Sequence, residues 1–352
     1  MMRSLGNVLV FCVVLALACT GVRHVLERVP GMVLEEEGAP AIKVTHALEH
    51  GDDYELLFLG SSRVYRQINP TVFDAVLAEH GITVRSYNVG LPGMRFYELL
   101  HRIDQVLEKH PPALRWLVLE LDDPDPGLED ANVLSRRFIE WHTAHVSWIA
   151  YRTILASARS PLEKLRQCWG HTEGLLLRAS NAGLGMTAVE SRFGAPPDLT
   201  DHTPAGFLPL DFDPTRVTKE HRAEFLADFA KDKGILERRA QAITDPEVMP
   251  RFPRRLGDQM RALVARIRAA GIEPLFLLTP PAERCNWDWR AAHKRGAVPT
   301  LFSYDDPREF QDFYRDLALR FDINHLNKAG ANALTRLLAE DVAAHIAGAK
   351  SQ

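Results

Sequence analysis

Asp322 and His325 stand three residues apart in "RFDINHLNKAGANAL", directly ahead of a run with helical periodicity. A carboxylate and an imidazole at that spacing in a turn can share a hydrogen bond. The carboxylate then fixes the imidazole tautomer and stabilises the imidazolium that forms when the ring takes a proton. Such a pair serves a hydroxyl nucleophile, and "ELLFLGSSRVYRQINP", residues 55 to 70, offers one where an apolar run ends in Gly60, Ser61, Ser62 and Arg63. Glycine and serine at a strand end make an ordinary turn. They equally present a hydroxyl at the carboxyl edge of a sheet, where open α/β folds keep their sites. Asp322 and His325 also have a plain alternative role in capping the helix that follows, with Asn327 as its N-cap.

The elements that must carry these residues follow from the apolar pattern. "YELLFLG" (54–60) reads as a strand, and Asn69-Pro70 supplies an N-cap and first-turn proline for a helix to His80, closed by Gly81. "ITVRSYNVG" reads as a second strand, "RFYELLHRIDQVLEKH" as an amphipathic helix and "LRWLVLEL" (114–121) as a third strand. This β-α-β-α-β order predicts a parallel sheet with right-handed crossovers. Between about 129 and 255 the pattern gives way to helical and irregular stretches rich in His, Trp and Pro, an insertion or cap within the α/β domain. It resumes with the helix "LGDQMRALVARIRAAG", the strand "IEPLFLLTPP" and a last helix from about Asn327 to Ala347.

With 352 residues, 46% hydrophobic and 25% charged, the chain can bury a large core. A net charge of -4 gives no reason to expect nucleic acid as a partner. From Leu5 to Val22 no residue is charged and Arg3 precedes the run, about the length that spans a bilayer as a helix. Residues 1–25 are therefore expected to be a signal or transmembrane anchor, more in keeping with an uncleaved anchor than a cleavable signal, and "ALAC" ending at Cys19 is a loose lipobox. Residues 26–50 would be a linker and 51–352 an α/β domain outside the cytoplasmic membrane. Cys168 and Cys285 are the cysteines beyond the anchor, and pairing or two free thiols stand as even choices.

Gly60-Ser61-Ser62, Asn88-Val89-Gly90-Leu91-Pro92-Gly93 and Asp322-Ile323-Asn324-His325 resemble the first, second and fifth sequence blocks of the SGNH (GDSL-type) hydrolase superfamily, in the family's order. The resemblance covers about 50–125 and 255–350. It implies a three-layer α/β/α fold with a central parallel, flavodoxin-like sheet, to which this chain adds the N-terminal membrane helix and a mainly helical insertion. It also implies Ser62 as nucleophile, Asp322 as orienting acid and His325 as general base, with Ser62, Gly93 and Asn88 around the oxyanion. Arg63, beside the nucleophile, is a candidate substrate contact. Ser61 stands where the family has Asp, and "LELDDPD" stands where it has Gly-x-Asn-Asp, so Pro124 falls on the oxyanion asparagine and brings no donor. The combination is similar to membrane-anchored DltD-like and alginate-acetylation-like members. These imply acyl transfer or ester hydrolysis on a cell-surface polysaccharide, beside a membrane-bound O-acyltransferase and without cofactor or metal. The rival expectation is an SGNH-like glycan-binding or scaffold subunit with weak catalysis, and a plain exported esterase is a third.

Other constellations read more simply. Asp122, Asp123 and Asp125, broken by prolines, read as a solvated loop rather than a cation site. "HALEH" (46–50) matches a His-x-x-Glu-His pattern, but Gly51 ends any helix there at once, so a linker helix is expected. His142 and His145 in "WHTAH" lack a third ligand nearby and read as part of an amphipathic helix.

Overall fold

The computed structural model describes residues 39–128, 135–181, 205–213, 215–243, 254–280 and 286–350, with scattered positions between 6 and 28. By contacts the chain divides into two compact units, Met1–Ile42 with Asp125–Asp198 and Lys43–Pro124 with Leu199–Gln352.

The larger unit is an α/β structure around five parallel strands: β1 (Leu56–Leu59), β2 (Ser86–Asn88), β3 (Trp116–Glu120), β4 (Glu273–Leu278) and β5 (Leu301–Ser303). They lie in the order β2-β1-β3-β4-β5, so the direction of winding reverses between β1 and β3. Phe58 pairs with Asn88 on one side and Val118 on the other, and Val118 pairs with Leu275. Leu56, Phe58, Val118, Leu275 and Leu277 share one face, while Leu57, Leu59, Leu117, Leu119 and Phe276 share the other, and none is more than 1% exposed. A sheet buried on both faces explains why these strands read as continuous apolar runs rather than as alternation.

The helices, in chain order, are α1 (Ala39–Glu49), α2 (Ser62–Gln67), α3 (Pro70–Glu79), α4 (Phe96–Lys109), α5 (Arg136–Trp141), α6 (Ala144–Ala156), α7 (Pro161–Ala179), α8 (Arg216–Lys231), α9 (Ile235–Ile243), α10 (Arg254–Ala269), α11 (Trp287–Lys294), α12 (Gln311–Arg315) and α13 (Lys328–Lys350). Asn69 caps α3 by accepting from the Thr71 N–H at 3.1 Å, and Pro70 takes the first position, as the sequence signal requires. Leu334, Leu338, Val342 and Ile346 of α13, with Phe73 and Leu77 of α3, cover the Phe58 face.

The smaller unit holds α5, α6 and α7 around Phe138, Val146, Ala150 and Ile154. Ser160 and Glu163 form a reciprocal capping box on either side of Pro161, which fixes the start of α7.

Three expectations change. Residues 39–49, expected in a linker, form α1, whose Lys43, Val44 and Ala47 are buried. The segment expected as one insertion over 129–255 is divided: 125–198 groups with the smaller unit, whereas α8 and α9 belong to the α/β unit. Ser62 begins a short helix of its own, α2, ahead of the one expected at Asn69. As to the expected anchor, no helix among the described residues is long and apolar enough to cross a membrane, and much of Leu5–Val22 lies outside them. Cys285 also lies outside them, so the pairing with Cys168 is not described.

The Phe58 ring meets Phe73 edge-on, with centroids 4.9 Å apart at 88°. Phe58→Ala empties the centre of this core and is expected to cost about 3–5 kcal/mol. In urea unfolding this appears as a lower midpoint with an unchanged slope.

Candidate active site

Ser62 is the first residue of α2, directly after β1, and its hydroxyl lies at the carboxyl edge beside the reversal of strand order. Ser61 occupies the N-cap and its Oγ accepts from the Arg63 N–H at 3.2 Å, so it shapes the turn. Ser62, with no capping duty, has its Oγ 2.9 Å from Nε2 of His325, 263 residues away in the chain.

The partner loop builds itself around Asp322. Its Oδ1 accepts from the N–H groups of Asn324 (2.7 Å) and His325 (2.8 Å), and both carboxyl oxygens lie 3.0 Å from Nδ1 of His325. With two acceptors on Nδ1, the proton belongs there, and Nε2 is left to accept from the Ser62 hydroxyl. Burial alone would raise the Asp322 pKa. The hydrogen bond and charge of His325 and the two backbone donors outweigh it, so the carboxyl titrates below the ordinary aspartate value. His325 keeps 21% of its side chain exposed, which leaves the pair open to an incoming molecule. Asn327 caps α13 by accepting from the Gly330 N–H at 3.0 Å. The aspartate and histidine are thus joined to a serine as well as standing ahead of a helix.

Sequence reasoning overlooked what lies behind the loop. Arg320, 1% exposed, donates to the carbonyls of Phe313 (3.0 Å), Asp322 (3.1 Å) and Ile323. Arg222 of α8 donates to the carbonyls of Arg320 (3.0 Å) and Phe321. Two guanidinium groups therefore brace the backbone that carries Asp322 and His325. Burial, against the charges of Asp322 and Tyr314, lowers the Arg320 pKa to about 10.

Beneath Ser62 lies a second network. The Glu120 carboxyl, at the end of β3 and 2% exposed, accepts from the Ser61 N–H (2.6 Å), Arg63 Nε (3.0 Å) and Thr279 Oγ1 (2.5 Å). Arg63 also donates to Asp122 Oδ1 at 2.9 Å. Desolvation opposes the Arg63 charge, yet Glu120 and Asp122 outweigh it and raise its pKa; the same guanidinium lowers that of Asp122 against burial. Arg63 is thus turned inward, contrary to its expected place at the substrate. The sequence signal was present: an acid closes the otherwise apolar run "WLVLE".

The second block supplies backbone. Asn88 is fully buried and its amide is committed on both sides, donating to the carbonyls of Val64 and Ile68 at 2.7 Å each and accepting from the Gly90 N–H at 2.8 Å. Expected around the oxyanion, it instead ties α2 to the loop after β2. At Gly90 a Cβ would lie 2.4 Å from the Tyr65 nitrogen, so only glycine permits that approach. Gly93 is exposed at φ 66, with nothing near its missing side chain. Among the described residues neither the Ser62 nor the Gly93 N–H has a protein acceptor; that of Ser62, at the first helical position, has none within the helix. Pro124 contributes only its carbonyl, 3.2 Å from the Tyr97 hydroxyl that donates to it. Lys43 of α1 is buried, donates to the Gly90 carbonyl at 2.7 Å and sits 3.7 Å over the Tyr65 ring. Burial and then the nearby Arg66 charge depress its pKa well below an ordinary lysine's.

The remaining candidates are placed elsewhere. His46 and His50 stack at 4.3 Å, and His46 Nε2 meets the Tyr54 hydroxyl at 2.9 Å. His142 pairs with His171 at 3.2 Å inside the smaller unit rather than with His145. Among the described residues no group of His, Cys, Asp and Glu is arranged to hold a metal ion.

Two outcomes follow for stability. Glu120→Ala leaves Arg63 with one fewer buried partner and is expected to cost about 3–5 kcal/mol, read from the urea midpoint. The Asp322 carboxyl stabilises the fold above its unfolded value of about 3.9, and that contribution is lost as pH falls through its lower folded value. The stability difference between wild type and Asp322→Asn is therefore expected to shrink between pH 5 and the acid limit of folding, as measured by urea titration at several pH values. In comparison with known proteins, no family model matches the chain and no curated protein is significantly similar to it.

Proposed function

We propose that the chain is a serine acyltransferase or esterase of SGNH type that works through an acyl-enzyme. The observation that carries this reading is the hydrogen-bonded series Ser62–His325–Asp322, drawn from opposite ends of the α/β unit. The strand order 2-1-3-4-5 is that of flavodoxin-like doubly wound folds and agrees with the three-layer arrangement such a hydrolase would have.

In this mechanism His325 Nε2 takes the Ser62 proton as Oγ attacks an ester carbonyl, and Asp322 stabilises the imidazolium. The carbonyl electrons move to oxygen, where the uncommitted N–H groups of Ser62 and Gly93 are the available donors. His325 then protonates the departing alcohol, leaving the acyl group on Ser62. A second alcohol or water, deprotonated by His325, completes the transfer. Pro124 adds no donor, so the oxyanion lacks a contact worth roughly 10²- to 10³-fold in rate. That loss is what favours the second reading, a catalytically weak glycan-binding or scaffold subunit. Placement outside the cytoplasmic membrane through residues 1–25, a cell-surface polysaccharide as acceptor and a membrane-bound O-acyltransferase as neighbour belong to the proposal through the resemblance of the three sequence blocks.

The test is covalent capture of the full chain in detergent with a fluorophosphonate, followed by turnover of a chromogenic acetyl ester. Labelling is expected in wild type and absent in Ser62→Ala and His325→Ala, with Asp322→Asn slowed about 10³- to 10⁴-fold. Labelling that persists in Ser62→Ala would overturn the assignment. A folded but unreactive wild type would favour the scaffold reading.

A further inference from the structure

The α6 and α7 helices turn a large apolar surface outward. Trp148 and Leu155 on α6, with Leu162, Leu165, Trp169 and Leu176 on α7, are 59–76% exposed. On α7 the four follow at spacings of 3, 4 and 7, so they lie on one side of the helix, while His171 and Gly174 are buried on the other. On α6 Trp148 and Leu155 are two turns apart, and Val146, Ala150 and Ile154 fill the interior. Six large apolar side chains exposed on two neighbouring helices exceed the scattered single residues of an ordinary surface and mark a site of contact.

The surrounding charge says what kind of contact. Between Ala144 and Ala179 five arginines and lysines stand against two glutamates, in a chain whose net charge is -4. Arg152 and Arg166 are exposed on the same two helices. Indole rings and leucines beside basic side chains suit the boundary between water and lipid. The rings are apolar with a polar edge, and the basic groups reach anionic headgroups while their stems lie along apolar surface. A further observation points to lipid rather than protein. The same compact unit includes the N-terminal run, whose described positions are helical and expose Val10, Phe11, Val14 and Leu17. With Val13 and Leu15, also exposed, these positions cover more than half of the helix circumference at about 100° per residue. That is wider than the stripe of a surface helix, and such a helix belongs in a core or in a membrane.

We propose that the α6–α7 hairpin lies on the surface of a lipid bilayer with anionic headgroups, its Trp148 and the Leu162–Leu176 stripe reaching below the phosphates. This would be a second membrane contact beside the N-terminal run. The inference rests on the membrane-anchoring part of the proposed function and uses none of its acyl chemistry.

The experiment reconstitutes the full chain in vesicles of phosphatidylethanolamine and phosphatidylglycerol with brominated acyl chains, and reads tryptophan emission. Bromine is expected to quench wild type, more so as the phosphatidylglycerol fraction rises, and most of that quenching is expected to be lost in the double variant W148F/W169F. Both replacements are exposed, so the variant keeps its fold, which circular dichroism checks. Quenching that is unchanged in the variant would overturn the proposal. So would tryptophans shielded from aqueous acrylamide but not quenched by lipid, which would mean that a protein or a second copy covers the stripe. A chain that does not stay with the vesicles would refute the anchoring as well, whereas fluorophosphonate labelling in detergent reports on Ser62 independently of all three results.

Discussion

The Glu120 carboxyl gathers the ends of three neighbouring strands. Through it the Ser61 N–H after β1, the Arg63 guanidinium on α2 and the Thr279 hydroxyl after β4 share one buried acceptor group at the end of β3. A buried acid needs such partners, because desolvation without them is expensive. The consequence is positional. The turn that follows β1 cannot relax without stripping Glu120 of a donor, and Ser62 is therefore presented at a fixed place on the sheet edge. The histidine loop can then be built separately and still meet it at 2.9 Å.

That loop is held by the opposite device. Asp322 collects its donors from its own turn, and the two arginines behind it, Arg320 and Arg222, bind backbone carbonyls rather than acids. One side of the site is thus fixed by a buried anion with converging donors, the other by one buried and one half-buried cation with converging carbonyls. Ser62 and His325 meet at a boundary between two separately satisfied networks.

How much of this was legible in the sequence depends on the range of the interaction. Asp322 and His325 could be read because three residues of spacing bring them together whatever the rest of the chain does. The strands could be read because a sheet buried on both faces leaves uninterrupted apolar runs, and α3 because Asn69-Pro70 marks its start. Glu120 could not be assigned a partner, since its contact with Ser61 exists only once β1 and β3 are neighbours. Arg63 and Asn88 were placed at the site, but their side chains serve the frame, a choice made by acceptors distant in sequence; the acid that closes "WLVLE" signals a buried cation without naming Arg63. The short edge strand β5, three half-buried residues, leaves no apolar run to find. The division of 129–255 between two units was hidden because both parts are helical and irregular alike.

Lys43 opens the α/β unit, one residue after the smaller unit's first segment ends at Ile42. Its ammonium group is tied to the Gly90 carbonyl, three residues ahead of Gly93. The first of the three chain crossings between the two units therefore leads directly onto the loop that carries Gly93. A pull along α1 loads that loop through this buried hydrogen bond and through the packing of His46 on Tyr87 of β2. Tension on α1 and the position of the loop that carries Gly93 are mechanically linked, with Lys43 as one point where the load is transferred.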